Sequence, residues 1–451
     1  MIPIVTPEEM RAVDSASAEP SDVLIDRAAR AVARIAVEMM GGSYGRRVAV
    51  VAGPGNNGAD GRVASGHLRR RGVRCRIYDV GDCLPEHIGG FDLVIDAAFG
   101  TGLSREFIFP SVDKHAAVLA VDIPSGVDGL TGRLIGRPAR ADRTVTFAAL
   151  KPGLVLEPGR SVAGEVTVVD IGLDTGPAMA TAMEPSDLAA ALAPRRPDDH
   201  KWRAAVRVIG GSPSMTGAPC LAARAAQRAG AGLVQLAVPG GLGGPGPTEA
   251  VGHPLPADAW GSEAVAGADR LQAVLVGPGL GPGHVSSVGD VLTVECPLIV
   301  DGDALQPEIV KAVSRRKSPT VLTPHEGEWV RLGASTDPDR IKAVHALAEA
   351  TGVVVVRKGP TTLIGAPAEP VRVITSGSAA LATAGTGDVL AGLILGLLAR
   401  GLAPIDAASA AAQLHAAAAA VAPVGLIAGD LIDRIPTVLA AGLGASAGVI
   451  S

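Results

Sequence analysis

The stretch Thr383–Ile394, "TAGTGDVLAGLI", puts the tetrapeptide G-T-G-D directly before an apolar run that reads as a buried helix. The first turn of a helix has unpaired N–H groups and carries roughly half a positive charge, so it can bind a phosphoryl group. Asp388, at the same place, could accept a proton from a hydroxyl aligned with that phosphate. The structural alternative is an Asp N-cap. Capping alone does not explain Gly385 and Gly387.

Other glycine-rich or polar loops follow apolar segments upstream of this stretch, as in a large nucleotide-type cleft. They are Gly210–Pro219, Gly277–Gly281, Thr323–Glu328 and Lys358–Thr362. No G-x-x-x-x-G-K-[ST] loop occurs in the sequence, which excludes a P-loop enzyme.

The two halves of the chain each alternate β-branched runs with helical patterns, which is typical of an α/β fold with parallel sheets covered by helices. A chain of 451 residues also exceeds what one hydrophobic core usually serves. The alternation lapses between Gly172 and about Pro197. We therefore predict a first domain at 1–172, a linker at 173–197 and a second domain at 198–451. Near the N-terminus, Thr6 and Glu9 predict a capping box.

The composition excludes several classes of partner. There are 40 basic and 45 acidic residues without a basic block, and aromatic residues make up only 2%, so nucleic acid is not expected as a partner. The apolar run 389–399 is shorter than the ~20 residues that span a membrane, so it predicts a buried helix. The early charges do not resemble a secretory signal, and four cysteines without C-x-x-C spacing suit reduced thiols. We expect a cytoplasmic homo-oligomer with no membrane association.

The candidate site of the first half is "GPGNNGADG", Gly53–Gly61, which formally satisfies G-x-G-x-x-G. One interpretation is a dinucleotide-binding turn with Asp79 as the ribose-binding acid, and another is a tight turn without a ligand. The two asparagines of the segment favour a different polar site. Asp96, Asp122 and Ser125 support this, because they are polar residues at further loop ends. The two acids each close an apolar strand, where packing does not call for a charge.

The first half resembles the N-terminal domain of NAD(P)H-hydrate epimerases, through "TPEEMRAVD", "GPGNNGADG", "VIDAAFGTGLSR" and "VDIPSGVDGLTG". The resemblance implies a Rossmann-like three-layer αβα sandwich. It implies that hydrated NADH or NADPH binds to Asn56, Asn57, Gly58, Ala59, Asp60, Gly100, Thr101, Gly102, Leu103, Ser104, Arg105, Glu106 and Asp122. It also implies a potassium ion on Asn57, Asp96, Ser125 and backbone carbonyls, and Asp122 is the preferred acid/base. The family usually has Gly at Ala59, where Ala would be strained if φ were positive.

The second half resembles NAD(P)H-hydrate dehydratases of the ribokinase-like αβα fold, through "VIGGSPSMTGAP", "GPGLG", "LTPHEGE", "VRKGPTT" and "AGTGDVLAGLI". The resemblance implies that Ala218, Gly281, His325 and Asp388 face the hydrated nucleotide, with Asp388 as the base. It implies that ADP binds to Lys358, Gly359, Pro360, Thr361, Thr362 and Gly387. Magnesium is expected for the phosphoryl transfer. A core position is the alternative for His325, and His415 is interpreted as packing. The entry segment His200–Trp202 departs from the family pattern.

Three functions are consistent with these patterns. The first is a bifunctional repair enzyme that interconverts the R and S hydrates of NAD(P)H and dehydrates the S form with ADP, releasing AMP and phosphate. The second is a ribokinase-type small-molecule kinase with a degenerate N-terminal ligand-binding domain. The third is a nicotinamide-dependent oxidoreductase, which depends on the G-x-G-x-x-G match alone. We favour the first, because both halves independently resemble enzymes of the same repair.

Overall fold

A computed structural model describes residues 1–184, 186–187, 198–420 and 424–447. The chain divides into two units, Ile2–Thr181 and Ala182–Ser451, and Met1 is grouped with the second. Within the predicted linker 173–197, residues 185 and 188–197 lie outside the described residues. The domain limits set from the sequence therefore stay predictions.

The first unit is built on short strands and five helices. Its strands are β1 Ile2–Ile4, β2 Arg47–Ala52, β3 Arg74–Asp79, β4 His87–Ile88, β5 Leu93–Ala97, β6 Phe107–Ile108, β7 Ser111–Val112, β8 Ala117–Val121, β9 Gly136–Arg137, β10 Arg143–Phe147 and β11 Glu165–Val169, after which the chain forms β12 Ala180–Ala182. Its helices are α1 Pro7–Ala16, α2 Ser21–Met39, α3 Asn56–Arg70, α4 Pro152–Val155 and α5 Gly159–Ala163. The predicted capping box at Thr6 and Glu9 is confirmed at the start of α1.

The main sheet of the first unit is parallel and has the order β3-β2-β5-β8-β10-β11. Alternate residues of β2 point to opposite faces: Val48 and Val50 pack under α2 and α3, and Ala49 and Val51 pack with Phe109 on the other face. The chain passes from β2 to β3 on one side and later to β5 on the other. Ligands of such sheets bind outside the carboxyl ends of the strands at this switch point.

The described part of the second unit has nine strands in the order β21-β20-β19-β18-β17-β16-β13-β14-β15. They are β13 Ala205–Ile209, β14 Leu233–Pro239, β15 Ala250–Leu255, β16 Ala273–Val276, β17 Leu298–Val300, β18 Thr320–Leu322, β19 Val354–Arg357, β20 Thr362–Gly365 and β21 Val371–Ile374. The helices are α6 Gly217–Arg228, α7 Gly261–Val265, α8 Val285–Val291, α9 Pro307–Val313, α10 Glu326–Arg331, α11 Arg340–Thr351, α12 Thr386–Ala399, α13 Pro404–Ala420 and α14 Ala428–Ala447.

One edge of this sheet differs from the parallel arrangement predicted from the alternation. The strands from β15 through β19 pair in parallel, but β20 is antiparallel to both β19 and β21. Only Lys358–Thr361 connects β19 to β20. A parallel crossover needs about a dozen residues, so a connection this short makes a hairpin. The two-domain α/β class is confirmed, with this mixed edge.

Helix α12 is buried on all sides, as its continuous apolar sequence predicts. It packs against α6 through its glycines. A Cβ atom on Gly392 would lie 2.2 Å from the carbonyl oxygen of Ala222, and one on Gly396 would lie 2.6 Å from that of Ala226. Among the residues that the structure describes, no helix is long and apolar enough to cross a membrane.

Gly392→Ala is expected to lower the free energy of unfolding of the second unit by about 2 kcal/mol, as overpacking of a core does. Alanine improves helix propensity by only about 1 kcal/mol, and it cannot relieve a clash with backbone. The matched control is Gly289→Ala in α8, where a new Cβ would meet nothing within 4 Å. Denaturant unfolding should show a lower free energy of unfolding for Gly392→Ala and no decrease for Gly289→Ala. Equal stability of both would contradict the close helix contact.

Candidate active sites of the two units

The site of the first unit begins where the loops after β2 and β5 touch. A Cβ atom on Gly53 would lie 1.7 Å from the carbonyl oxygen of Ala98, and one on Gly58 would lie 1.8 Å from that of Gly53. Both glycines are therefore required by close backbone approach. This contact places the first turn of α3, which holds the predicted residues 56–60, beside the predicted turn 100–106.

Asp96 and Ser125 meet in the interior beneath these loops. The Asp96 carboxylate is fully buried and accepts hydrogen bonds from the backbone N–H and the hydroxyl of Ser125 and from the N–H of Ala98. The Ser125 hydroxyl oxygen also accepts from the N–H of Phe99, at 2.8 Å. Burial raises the pKa of Asp96 to about 6, although the hydrogen bonds from Ser125 and Ala98 oppose this. The structure thus joins two of the three predicted potassium ligands.

The third predicted ligand, Asn57, has unused polar atoms. Its side-chain oxygen and nitrogen are buried, and neither has a hydrogen-bond partner among the described residues. The Cβ of Asn57 lies near Gly100, 3.8 Å from where a Cβ of that glycine would be. Buried polar atoms are normally paired, so an unpaired amide in this position fits a ligand group.

Asp122 follows β8 with a left-handed backbone, φ 67°. Asp tolerates this conformation better than most residues. Its Oδ1 lies 2.8 Å from Nζ of Lys151 and accepts from the hydroxyl of Thr146, at 3.3 Å. Its Oδ2 accepts from the N–H of Thr101, also at 3.3 Å. The carboxylate is therefore fixed on one side and turned towards the predicted turn 100–106.

Two more acids surround this carboxylate. Burial, and then the charge of Asp122, raises the pKa of Asp60 to about 8. Burial also raises the pKa of Asp14, at the end of α1; the charge of Lys151 opposes this and that of Asp122 adds to it. The first unit thus combines three carboxyl groups with one buried lysine.

The structure bears on two interpretations made from the sequence, the strain at Ala59 and the ribose-binding role of Asp79. Ala59 lies inside α3 and is not among the residues with positive φ, so the strain considered for alanine there does not arise. Asp79, considered as a ribose-binding acid, is instead paired with the guanidinium of Arg62, which also donates to the carbonyl oxygen of Gly53.

In the second unit the G-T-G-D stretch forms the start of α12. Gly385 is the N-cap residue with φ 89°, and a Cβ there would lie 2.6 Å from Leu221. Its own backbone conformation therefore requires this glycine. The carboxylate of Asp388 makes no hydrogen bond with any described residue, so it does not cap the helix. The capping alternative does not account for Asp388.

A lysine-centred ion network lies in front of this helix start. Nζ of Lys358 is 2.8 Å from Oδ1 of Asp301 and 3.8 Å from Oε2 of Glu328. Thr323 donates its hydroxyl to the same oxygen of Asp301, at 2.6 Å. Burial alone would lower the pKa of Lys358, but the charges of Asp301 and Glu328 raise it. A Cβ on Gly387 would lie 3.4 Å from this ammonium, so the predicted ADP loop meets the helix start.

Two acids of this network hold protons near neutral pH. Burial raises the pKa of Asp388 to about 7; the negative charge of Asp301 adds to this and Lys358 opposes it. Burial likewise raises the pKa of Glu328 to about 7, against the charge of Lys358. A base with such a pKa is suited to proton transfer at neutral pH.

His325 is not a core histidine, since its side chain is 60% exposed. It is the N-cap of α10: its Nδ1 accepts from the N–H of Glu328, whose carboxylate accepts from the N–H of His325. Partial desolvation of the ring and the charge of Lys358 lower the pKa of His325. The imidazole is thus neutral and faces the Lys358 network.

The remaining predicted substrate residues lie at the loops after β13 and β16. A Cβ on Gly279 would lie 3.0 Å from the Cβ of Ala218, so these loops are in contact. The N–H of Gly281 donates to Oδ2 of Asp303, at 2.8 Å. His415 is buried, as predicted, but it also has a specific contact, 2.9 Å from its Nε2 to the carbonyl oxygen of Thr386. Burial lowers its pKa to about 4.

Sequence reasoning assigned no individual role to several polar residues of both sites. In the first unit they are Asp14, Thr146 and Lys151, and in the second they are Asp301, Asp303, Thr323 and Glu328. A signal was present for Asp301, which ends an apolar strand in the same way as Asp96 and Asp122. Lys151 had no comparable signal, because a single lysine after a strand is ordinary on a protein surface.

Comparison with known families matches both halves of the chain. The family described as NAD(P)H-hydrate dehydratase matches residues 206–437. The family described as YjeF-related protein N-terminus matches residues 21–82 and 82–153.

Relatives match nearly the whole chain. The bifunctional NAD(P)H-hydrate repair enzyme of Moorella thermoacetica is 35% identical, over 98% of this chain and 99% of its own. The enzyme of the same name from Mycobacterium tuberculosis is 38% identical, over 86% and 87%. A solved structure of a ribokinase-like superfamily protein from Enterococcus faecalis is 24% identical, with a TM-score of 0.51 over 58% of this chain and 96% of that one. The ribokinase-like fold is thereby confirmed.

Proposed function

The chain belongs to the family of bifunctional NAD(P)H-hydrate repair enzymes, and we propose from this premise how its two sites divide the reaction. The first unit carries the epimerase site and the second the dehydratase site. The observation that carries the proposal is Asp388, a half-buried carboxyl with pKa about 7 that does not cap its helix and lies beside the Lys358 network. The kinase and oxidoreductase interpretations would leave the match of the first half unexplained.

In the proposed epimerase site, hydrated NADH or NADPH lies against residues 56–60 and the turn 100–106. The C6–oxygen bond of the damaged ring breaks and forms again on the opposite face. Asp122 is the acid/base of this step. Its Oδ2 faces the turn 100–106 at the N–H of Thr101, and its Oδ1 is held by Lys151 and Thr146.

We assign the potassium site to Asn57, Asp96 and Ser125, together with backbone carbonyls. The unpaired amide oxygen of buried Asn57 supports this, and oxygen atoms are the ligands that hard cations prefer. When bound, the cation would supply positive charge close to the phosphates or ring of the substrate. The hydrogen bonds from Ser125 to Asp96 hold these two proposed ligands together beneath the loops that follow β2 and β5.

In the proposed dehydratase site, Asp388 accepts the proton of the C6 hydroxyl as that oxygen attacks the terminal phosphorus of ADP. The unpaired N–H groups at the start of α12 and the ammonium of Lys358 stabilise the negative charge of the phosphoryl group during its transfer. AMP leaves, and the phosphorylated ring then loses phosphate from C6 and a proton from C5, which the departing phosphate takes up, so that the C5–C6 double bond is restored. Phosphorylation matters because phosphate leaves far more readily than hydroxide.

The remaining ligand assignments rest on the same loops. ADP lies against Lys358–Thr362 and Gly387, and the hydrated nicotinamide faces Ala218, Gly281 and His325. We propose that magnesium accompanies ADP in this site, where it would neutralise phosphate charge when bound. We further propose a cytoplasmic homo-oligomer, in keeping with the scattered, unpaired cysteines.

The test is to incubate the purified protein with mixed R and S hydrates of NADH and to follow NADH absorbance with ADP or ATP. Full recovery is expected with ADP. Recovery of the S fraction alone would contradict the epimerase assignment. Absence of recovery with either nucleotide would contradict the dehydratase assignment.

The dehydratase rate should depend on pH through Asp388. The base works only when deprotonated, and burial raises its pKa to about 7, so kcat/KM should fall as pH drops below about 7. The slope should approach tenfold per pH unit. Initial rates of S-hydrate dehydration between about pH 5 and pH 9 measure it. A flat profile down to about pH 5 would contradict Asp388 as the base.

A further inference from the structure

Lys151 is a buried charge that no pattern in the sequence indicates. Its side chain is only 2% exposed, although it belongs to a residue type that is almost never fully buried without a partner. It follows β10 and stands directly before α4. Such a lysine must be held by specific contacts, because an unpaired ammonium is very costly to bury.

The contacts of Lys151 use its whole hydrogen-bonding capacity. Nζ donates to the hydroxyl oxygen of Thr146 at 2.7 Å and to the carbonyl oxygen of Phe147 at 2.9 Å, and it lies 2.8 Å from Oδ1 of Asp122. An ammonium has three donors, so these partners account for all of them. Two partners come from β10 itself, and the third is the proposed acid/base. The ammonium therefore connects a rigid strand to the Asp122 carboxylate.

Two other acids lie close enough to Asp122 for its charge to act on them. They are Asp60 of α3 and Asp14 of α1: burial raises the pKa of each, and the charge of Asp122 adds to this. Lys151 is the cation in contact with Asp122 in the part of the chain that the structure describes. Of these three carboxyl groups, Asp122 is therefore the one that an ammonium holds in place.

Asp60 is positioned to donate a proton to the substrate, whereas Asp122 would accept one. It lies three residues after Asn57 in α3, so both side chains are on the same side of the helix, which also approaches Gly100. Its carboxyl is 8% exposed and makes no hydrogen bond with the described residues. Burial and the charge of Asp122 raise its pKa to about 8, so it holds its proton at pH 7.

We infer that Lys151 is a positioning residue that holds the Asp122 carboxylate in place against β10, so that Asp122 accepts a proton while Asp60 supplies one. The inference rests on the proposed epimerase function of the same site. Asp60 gives its proton to the C6 hydroxyl, which leaves as water while the lone pair of ring N1 forms the N1–C6 double bond. Water adds to the opposite face, the electron pair returns to N1, and the added water loses its proton to Asp122. Both carboxyls then exchange protons with solvent, which they reach.

The test compares Lys151→Met, Lys151→Arg and, as a matched control, Lys114→Met at an exposed position of the same unit. R/S interconversion is followed by chromatography across pH, with wild-type protein in parallel. Lys151→Met should slow turnover about 100-fold with little change in KM. A loss of turnover with KM unchanged would show that the Asp122 carboxylate is misplaced and that substrate binding is intact. Lys151→Arg should recover most of the lost turnover, because a guanidinium can also hold a carboxylate, and Lys114→Met should match wild type.

The outcomes separate the inference from the function on which it rests. Wild-type protein without R/S interconversion would overturn the epimerase function and this assignment with it. Active wild type together with undiminished turnover in Lys151→Met would overturn the positioning role alone. If Lys151→Met fails to fold by circular dichroism, Asp60→Asn decides: turnover slowed about 100-fold or more supports the pair, and a wild-type rate overturns it.

Discussion

Replacing Asp388 with asparagine is expected to abolish recovery of NADH from the S hydrate, with turnover slowed by about two to four orders of magnitude. Asparagine has nearly the same shape but cannot accept the proton of the C6 hydroxyl. The side chain makes no hydrogen bond to described residues, so the substitution breaks no structural contact. Interconversion of the R and S hydrates should continue, because its site belongs to the other unit. The measurements are NADH absorbance with ADP and chromatography of the two hydrates.

A matched control exists in the same unit. Asp430 also occupies the third position of a helix, α14, and its Oδ2 accepts from the N–H of Ile427 at 3.0 Å. Asp430→Asn keeps an acceptor at this capping bond and should leave recovery unchanged. Equal losses of NADH recovery in Asp388→Asn and Asp430→Asn would indicate that the substitutions act through the stability of the unit. Loss of both activities in Asp388→Asn would contradict separable sites.

Asp122→Asn should remove the epimerase activity and leave dehydration of the S form intact. With mixed hydrates, recovery should then stop at the S fraction, apart from spontaneous interconversion. The amide cannot act as a base, and turnover of the epimerase should again slow by about two to four orders of magnitude. Asn, like Asp, tolerates the left-handed backbone at this position, φ 67°, so the fold should persist.

The control for this second variant is Asp113→Asn in the same unit. Asp113 is a surface carboxylate bonded to the N–H of Gly90 and to His87, outside the proposed site. The Asp113→Asn protein should interconvert the hydrates at the wild-type rate. Asp122→Asn with an undiminished rate would remove Asp122 from the mechanism. A reduced rate in both variants would mean that the first unit responds to surface charge.

Much of both sites was predictable because parallel strands end at one edge of a sheet. Asp96 and Asp122 each end an apolar strand, and the register of β2, β5 and β8 brings their loops together. The same rule would have found Asp301 at the end of β17. It could not predict the antiparallel β20, because pairing direction depends on the length of the connection and not on the apolar pattern.

The sequence alone established the α/β class, the two halves, the loops that bear function and the family resemblance, because periodicity and motifs are local properties of the chain. The tertiary structure decided the protonation of the carboxyl groups and the partners of the lysines. Asp60 and Asp388 have raised pKa values because folding buries them beside other acids. Lys151 and Lys358 are paired by residues distant in sequence. Desolvation and charge proximity arise only when these segments meet in space.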